Sequence, residues 1–224
     1  MKSNLPFVII ATVLAVAVGA GVWMFRAAQQ PQSSSIPAPS ASPVAPHSAN
    51  AANLNATNSK GIVTIEEFGD YQCPPCGNLH PIIKTLKSEY GDRLRVVFRH
   101  FPLTSIHKHA LEASYAASAA DLQGKFWEMH NLLYENQSVW SDVGDFRPLA
   151  INYAHRLGLD IQRFTQDMDG LKVMGRVATD EQRANSLNVN STPTVFIDGR
   201  LVENDNLTAD GLRKEINQRL NVSP

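Results

Sequence analysis

Cys73 and Cys76 are the only two cysteines in the 224-residue chain, and only Pro74 and Pro75 separate them. Thiols at that spacing can close one small disulfide ring. A ring so short removes little entropy from the unfolded chain, so it would stabilise a fold weakly. A structural disulfide framework needs several cysteines at longer separations. A structural zinc site needs about four ligands, and beyond the two thiols only His80, on the same helical stretch, is near. Thiolates also favour Cu(I), but no Met-rich stretch accompanies this pair. The chemistry the pair favours is thiol–disulfide exchange, which calls for no metal and no cofactor.

Exchange needs one thiol that attacks as thiolate and a second that resolves the mixed disulfide. The surrounding pattern supplies a position for each. Ile62 to Phe68 is rich in β-branched residues and reads as a strand that ends just before the cysteines. Leu79, Ile82, Ile83, Leu86 and Tyr90 then fall at helical spacing, with Gly91 as the stop. Cys73 therefore sits at a helix N-terminus, where unpaired N–H groups and the positive dipole end favour thiolate. Pro74 suits the first helical position, which needs no N–H. Cys76 lies one turn inside and is the resolving thiol. The Pro-Pro dipeptide offers no side-chain donor, so depression of the Cys73 pKa is expected to come mainly from backbone N–H groups and the dipole.

The elements around this turn can be read coarsely. Pro81 should kink the first helix. Leu94 to Arg99 reads as a second strand, completing a parallel strand–helix–strand unit. From about Ile106 to Leu187 the pattern is helical, with breaks near Gly124, 141–144, Gly158 and Gly170, which predicts four or five helices. Thr194 to Ile197, the turn Asp198-Gly199 and Leu201-Val202 form a hairpin signal. A last helix starts near Thr208, with Leu212, Ile216 and Leu220 on one face.

With these segments in place, the chain resembles the DsbA-like branch of the thioredoxin superfamily. The resemblance is carried by Glu67-Phe68 through Cys73-Pro74-Pro75-Cys76, Phe98-Arg99-His100-Phe101-Pro102-Leu103, Gly124-Lys125-Phe126-Trp127, Gly158-Leu159-Asp160 and Thr192-Pro193-Thr194. It covers the chain from about Gly61 onward. It implies an α/β thioredoxin-like fold with a helical domain inserted at about 104–188. It also implies that Pro193 is cis and faces the cysteines, leaving the Thr192 backbone free to pair with a substrate strand; an ordinary turn proline is the alternative. Glu67 stands where the family often carries a buried acid that can relay a proton to or from Cys76; the alternative is a partly solvated acid at the strand end. Glu66 should point to the opposite face. Asp70, Tyr71 and Gln72 are expected to shape the rim of the site without a catalytic role. One departure stands out. DsbA has Pro-His between its cysteines where this chain has Pro-Pro, which puts a strongly oxidising potential in question.

Other candidates carry less. His107 and His109, two positions apart, do not share a helical face and read as a solvated helix start. Trp127 and Trp140 read as core or groove aromatics. Asn190-Ser191-Thr192 matches a glycosylation pattern, but a sugar there would block the site, which fits a bacterial envelope better than a eukaryotic secretory route.

Residues Phe7 to Phe25 form an uncharged apolar run of 19 residues, close to the roughly 20 that span a bilayer. Residues 1–26 read as an uncleaved anchor, with a cleaved signal peptide as the alternative. Residues 27–60 are rich in Ala, Ser, Pro and Asn and hold no formal charge before Lys60, which reads as a disordered tether. The folded domain is expected over 61–224. These features point to a single-pass protein of the bacterial inner membrane with its catalytic domain in the periplasm, or to a soluble periplasmic form if the leader is removed. A formal charge of -1 gives no reason to expect nucleic acid. The expected partners are proteins bearing thiols or disulfides and a membrane redox protein, with the chain itself monomeric. Disulfide formation is favoured over reduction because no separate N-terminal dimerisation domain is apparent. A periplasmic reductase, a non-catalytic envelope chaperone and a copper carrier are the competing readings.

Overall fold

The computed structural model describes residues 61–221. The expected anchor over 1–26 and tether over 27–60 lie outside the described residues. Among those described, no helix is long and apolar enough to cross a membrane.

Strand β1 (Val63–Gly69) is central and buried along nearly its whole length. It pairs in parallel with β2 (Leu94–His100) from Val63↔Leu94 to Gly69↔His100. On its other side it pairs antiparallel with β3 (Thr194–Ile197). The two-residue β4 (Arg200–Leu201) closes the sheet in the order β2-β1-β3-β4. The β3–β4 hairpin turns at Asp198 and Gly199, both at positive φ (48° and 77°), as a two-residue turn matched to strand twist requires. Asp198 fixes the turn to β1, accepting from the Thr64 N–H through its side chain at 2.9 Å.

Helix α1 (Pro74–Tyr90) follows β1 and runs unbroken through Pro81. It stops at Gly91, whose φ of 56° closes the helix. Between β2 and β3 the chain makes six helices where four or five were expected: α2 (Ala110–Asp121), α3 (Phe126–Glu135), α4 (Gln137–Trp140), α5 (Arg147–Arg156), α6 (Ile161–Met168) and α7 (Leu171–Ser186). The extra element is α4, a four-residue turn after Asn136 that is too short to show a period in sequence. Helix α8 (Ala209–Leu220) returns to the sheet, capped by the Thr208 hydroxyl.

Two main cores divide the labour. One joins β1, β3, α1 and α8 through Val63, Ile65, Leu86, Val195, Leu212 and Ile216. The larger one fills the helical insert. Its small residues Ala113, Ala116, Ala117 and Ala120 let α2 lie close to its neighbours, and it extends to Tyr71, Cys73 and Cys76. The cysteines are thus packed by the insert more than by the sheet.

A central strand buried on both faces should be apolar throughout, yet β1 carries adjacent acids. Alternation sends them to opposite faces, as expected. Glu66 meets Arg99 at 2.9 Å and Arg183 of α7 at 3.2 Å. Asp180 of α7 takes Arg99 Nη1 at 3.0 Å and the His100 N–H at 3.1 Å. This buried charge network fastens the last helix of the insert to the sheet. Glu67 faces the cysteines.

Candidate active site

Cys73 occupies the N-cap of α1, with Pro74 and Pro75 in the first two helical positions. Its N–H donates to the Asp70 carbonyl at 3.1 Å, and its own carbonyl accepts from the Gly77 N–H at 3.2 Å. Cys76 approaches it to 3.7 Å, and both are free thiols. Cys73 keeps 5% exposure and Cys76 none. Across from them the Thr192–Pro193 bond is cis, and the Cys73 thiol contacts the Thr192 carbonyl at 3.4 Å. The Thr192 hydroxyl is buried beside it with no other partner. The fold thus brings Cys73, Cys76, Thr192 and Pro193 together from 119 residues apart.

The two thiols are chemically unequal. The Cys73 pKa falls from the ordinary thiol range to about 6. The largest cause is the hydrogen bond from the Cys76 thiol; hydrogen bonding to Thr192 and the Cys76 N–H add to it, while burial and the Asp70 charge oppose it. This corrects the expectation that backbone N–H groups and the dipole dominate. With proline at both leading positions, two of the N–H groups that a helix N-terminus normally presents do not exist. The neighbouring thiol takes over most of that role. Burial pushes Cys76 well above the ordinary thiol value, and the hydrogen bond it donates to Cys73 adds to the rise.

Glu67 is 2% exposed and its Oε1 has no hydrogen-bond partner. Burial, with a smaller contribution from the Cys73 charge, raises its pKa to about 8. Of the two readings open from sequence, the buried acid is the one the geometry matches. A buried carboxyl and a buried thiol that feel each other's charge can exchange a proton near neutral pH.

Two expectations require correction. Asp70 and Tyr71 do not shape a rim: both are fully buried. Asp70 binds the Gln72 N–H at 2.7 Å, the Leu103 N–H at 2.8 Å and His107 Nδ1 at 2.7 Å, tying the segment before Cys73 to the chain leaving β2. Tyr71 lies among Phe98, His130 and Tyr134, its hydroxyl 3.1 Å from His130 Nδ1. Nor are His107 and His109 a solvated helix start. The first holds Asp70, and the second is buried with Nε2 2.8 Å from the Val143 carbonyl. Trp140 is core, its indole N–H donating to the Leu133 carbonyl at 2.7 Å. Trp127 is partly buried beside Phe126 and His130. His80 stacks on Tyr134, and among the described residues no group of three or more His, Cys, Asp or Glu is placed to hold a metal. Sequence reasoning missed Gln137, which reaches the active-site loop from the insert; a neutral amide 64 residues from Cys73 carries no signal in sequence.

A family model described as Thioredoxin matches residues 53–218. Solved structures share the fold. A thioredoxin-like oxidoreductase from Silicibacter pomeroyi DSS-3 superposes with a TM-score of 0.56 at 26% identity, covering 72% of this chain and 94% of that one. Oxidised BdbD from Bacillus subtilis gives a TM-score of 0.63 at 20% identity, covering 73% and 90%. Alpha-DsbA1 from Wolbachia pipientis gives 0.60 at 20%, covering 73% and 88%. Among curated proteins, the Na(+)/H(+) antiporter NhaA 1 of Salinispora arenicola is 41% identical over 139 residues, which are 62% of this chain and 20% of the antiporter. The chain spans about a fifth of the length of the curated relatives it matches. The matched family model, the shared fold and the paired cysteines on a strand-to-helix turn agree: the chain belongs to the thioredoxin family.

Proposed function

We propose that the chain is an extracytoplasmic thiol–disulfide oxidoreductase that passes disulfides to protein substrates through Cys73 and Cys76. The observation that carries this reading is the pairing of one acidic, marginally exposed thiol with one buried, weakly acidic thiol. In the oxidised enzyme a substrate thiolate attacks Cys73 Sγ. The Cys73–Cys76 bond breaks, its electron pair goes to Cys76, and the Glu67 carboxyl supplies the proton that Cys76 takes up. A second substrate thiolate then attacks the substrate sulfur of the mixed disulfide and releases Cys73 as thiolate. The substrate loses two electrons and the cysteine pair gains them. A low Cys73 pKa favours this direction because it stabilises the reduced pair. The Thr192–Pro193 segment lies against Cys73, where its backbone can align an extended substrate.

Oxidised protein mixed with a reduced dithiol peptide should deliver its disulfide one for one and emerge with two free thiols. A peptide that stays reduced would remove the oxidase reading. Transfer in the opposite direction, from peptide disulfide to reduced enzyme, at a larger equilibrium constant would assign reduction instead.

The reading places the domain in the bacterial periplasm, held to the inner membrane by residues 1–26, with a membrane redox protein restoring the disulfide. Its support is the apolar run itself and the match of 139 residues of this chain to part of a much longer relative named as a Na(+)/H(+) antiporter. The protein is expected to stay with membranes through a high-salt wash. A mature N-terminus near Gly21 and a soluble envelope protein would replace the anchor by a cleaved signal.

A further inference from the structure

Two glutamines cross between the active-site loop and the helical insert in opposite directions. Gln137, the first residue of α4, donates from Nε2 to the Tyr71 carbonyl at 2.7 Å and to the Cys73 carbonyl at 2.9 Å. Gln72, next to Cys73, donates from Nε2 to the Ser141 carbonyl at 2.7 Å and accepts from the His109 N–H at 2.7 Å. The two arms are closed on the insert side, where the Ser141 N–H and hydroxyl both donate to the Gln137 carbonyl, at 3.0 and 2.7 Å. Glycine at position 77 leaves room for the Gln137 amide in this pose. A Cβ there would come 2.6 Å from Gln137 Oε1, inside any real contact distance.

We propose that Gln137 is a positioning residue of the redox centre: its amide, fixed by the insert, holds the Tyr71 and Cys73 carbonyls and so sets where the Cys73 sulfur stands relative to Cys76 and Thr192. The Cys73 carbonyl accepts from both the Gly77 N–H and Gln137. The first bond sets the pitch of the opening turn of α1; the second sets how that turn faces the insert. The Pro-Pro dipeptide leaves few donors at this end of the helix, so the Cys76 thiol, 3.7 Å away, matters most to the thiolate, and its placement against Cys73 depends on the backbone being held. The amide also turns its positive N–H end toward the Cys73 backbone. An amide donor 2.9 Å from a carbonyl can be replaced isosterically by a carboxylate, which keeps the shape and reverses the polarity.

The inference rests on the redox reading of the cysteine pair, and its test separates the two. Cys73 is titrated by thiolate absorbance in the reduced full-length protein, beside its Gln137→Ala and Gln137→Glu variants. Loss of the donor should raise the Cys73 pKa by about half a unit in the alanine variant and by about one unit or more in the glutamate variant, the larger shift being about a tenfold loss of thiolate at acid pH. Gln137→Asn, one methylene too short to bridge both carbonyls, should fall with the alanine variant. A lowered melting temperature with the Cys73 titration unchanged in all three variants overturns the proposal, because that is what a merely structural contact would give. If the wild-type protein transfers no disulfide at all, the functional reading fails, yet the titration still reports on Gln137. If transfer proceeds and the titration does not move, only the role of Gln137 fails.

Discussion

A Cys76→Ser variant should accumulate covalent adducts with thiol- and disulfide-bearing proteins, while Cys73→Ser accumulates almost none. With a pKa of about 6, Cys73 is about nine-tenths thiolate at pH 7, whereas an ordinary thiol near 8.5 is a few per cent ionised. Cys76 is pushed the other way and has no exposure, so it lacks both the charge and the access to attack an external sulfur. Removing it leaves the attacking thiol intact and strands the mixed disulfide. Serine at 76 keeps a hydroxyl that can donate where the thiol did, so Cys73 should stay acidic in that variant. In Cys76→Ala the donor is gone and the Cys73 pKa should climb by about a unit, since the Cys76 thiol is the largest cause of the depression. Adducts are read on non-reducing gels. Equal trapping by the two serine variants would reverse or dissolve the assignment of roles, and an unchanged Cys73 titration in Cys76→Ala would remove the thiol donor as its cause.

Replacing Glu67 by Gln should make the reduced protein more stable at neutral pH and make it slower. The sign follows from the raised pKa. Below about 4.5 the acid is protonated both folded and unfolded, and it has no effect on stability. Between 4.5 and about 8 the unfolded chain has lost the proton while the folded chain keeps it, so stability falls as pH rises through this window. The accumulated loss at pH 7 is on the order of 3 kcal/mol at about 1.4 kcal/mol per unit. Glutamine keeps the shape without the proton and removes that loss. Cys73 acts in the opposite sense. Its pKa is depressed, so it adds stability as pH rises from about 6 toward the ordinary thiol value. The variant should therefore gain stability with pH between 6 and 8, where the native protein stays flat or loses it. At the same time the steps that protonate or deprotonate Cys76 lose their proton partner, and turnover should drop on the order of 10- to 100-fold. Denaturation midpoints across pH and single-turnover disulfide transfer check both halves. A variant no more stable than the native protein at pH 7, or as fast, would place Glu67 outside the buried site or outside the proton path.

What could be read from the sequence was local. A β-branched strand running into Cys-Pro-Pro-Cys and then a helical period places both sulfurs without any distant information. Asp198-Gly199 marks the hairpin because both positions demand positive φ. Glu67 was identifiable as a candidate because strand alternation fixes its face. The errors arose where polar letters are satisfied from far away. Asp70 and Tyr71 look like rim residues until Leu103, His107 and His130, 33 to 59 positions on, supply their partners. The same remote bonding turned His107 and His109 from solvated side chains into struts. The acidity of Cys73 is legible from its place at the helix start, but its largest cause, the Cys76 thiol, is not. Counting the missing N–H groups of Pro74 and Pro75 would have shown that the helix end alone could not provide it.

The acidity of Cys73 also sets a driving force. An oxidised pair carries no ionisable thiol, so every unit by which pH exceeds the Cys73 pKa favours the electron-accepting product. At pH 7, one unit above a pKa of about 6, ionisation alone favours the reduced pair by ~1.4 kcal/mol, or ~30 mV for a two-electron couple. The increment shrinks to nothing below pH 6 and grows toward the ordinary thiol value. On the oxidase reading proposed above, a compartment that acidifies would weaken the protein's disulfide as an acceptor from ordinary substrate thiols, and the same proton concentration would ease its restoration.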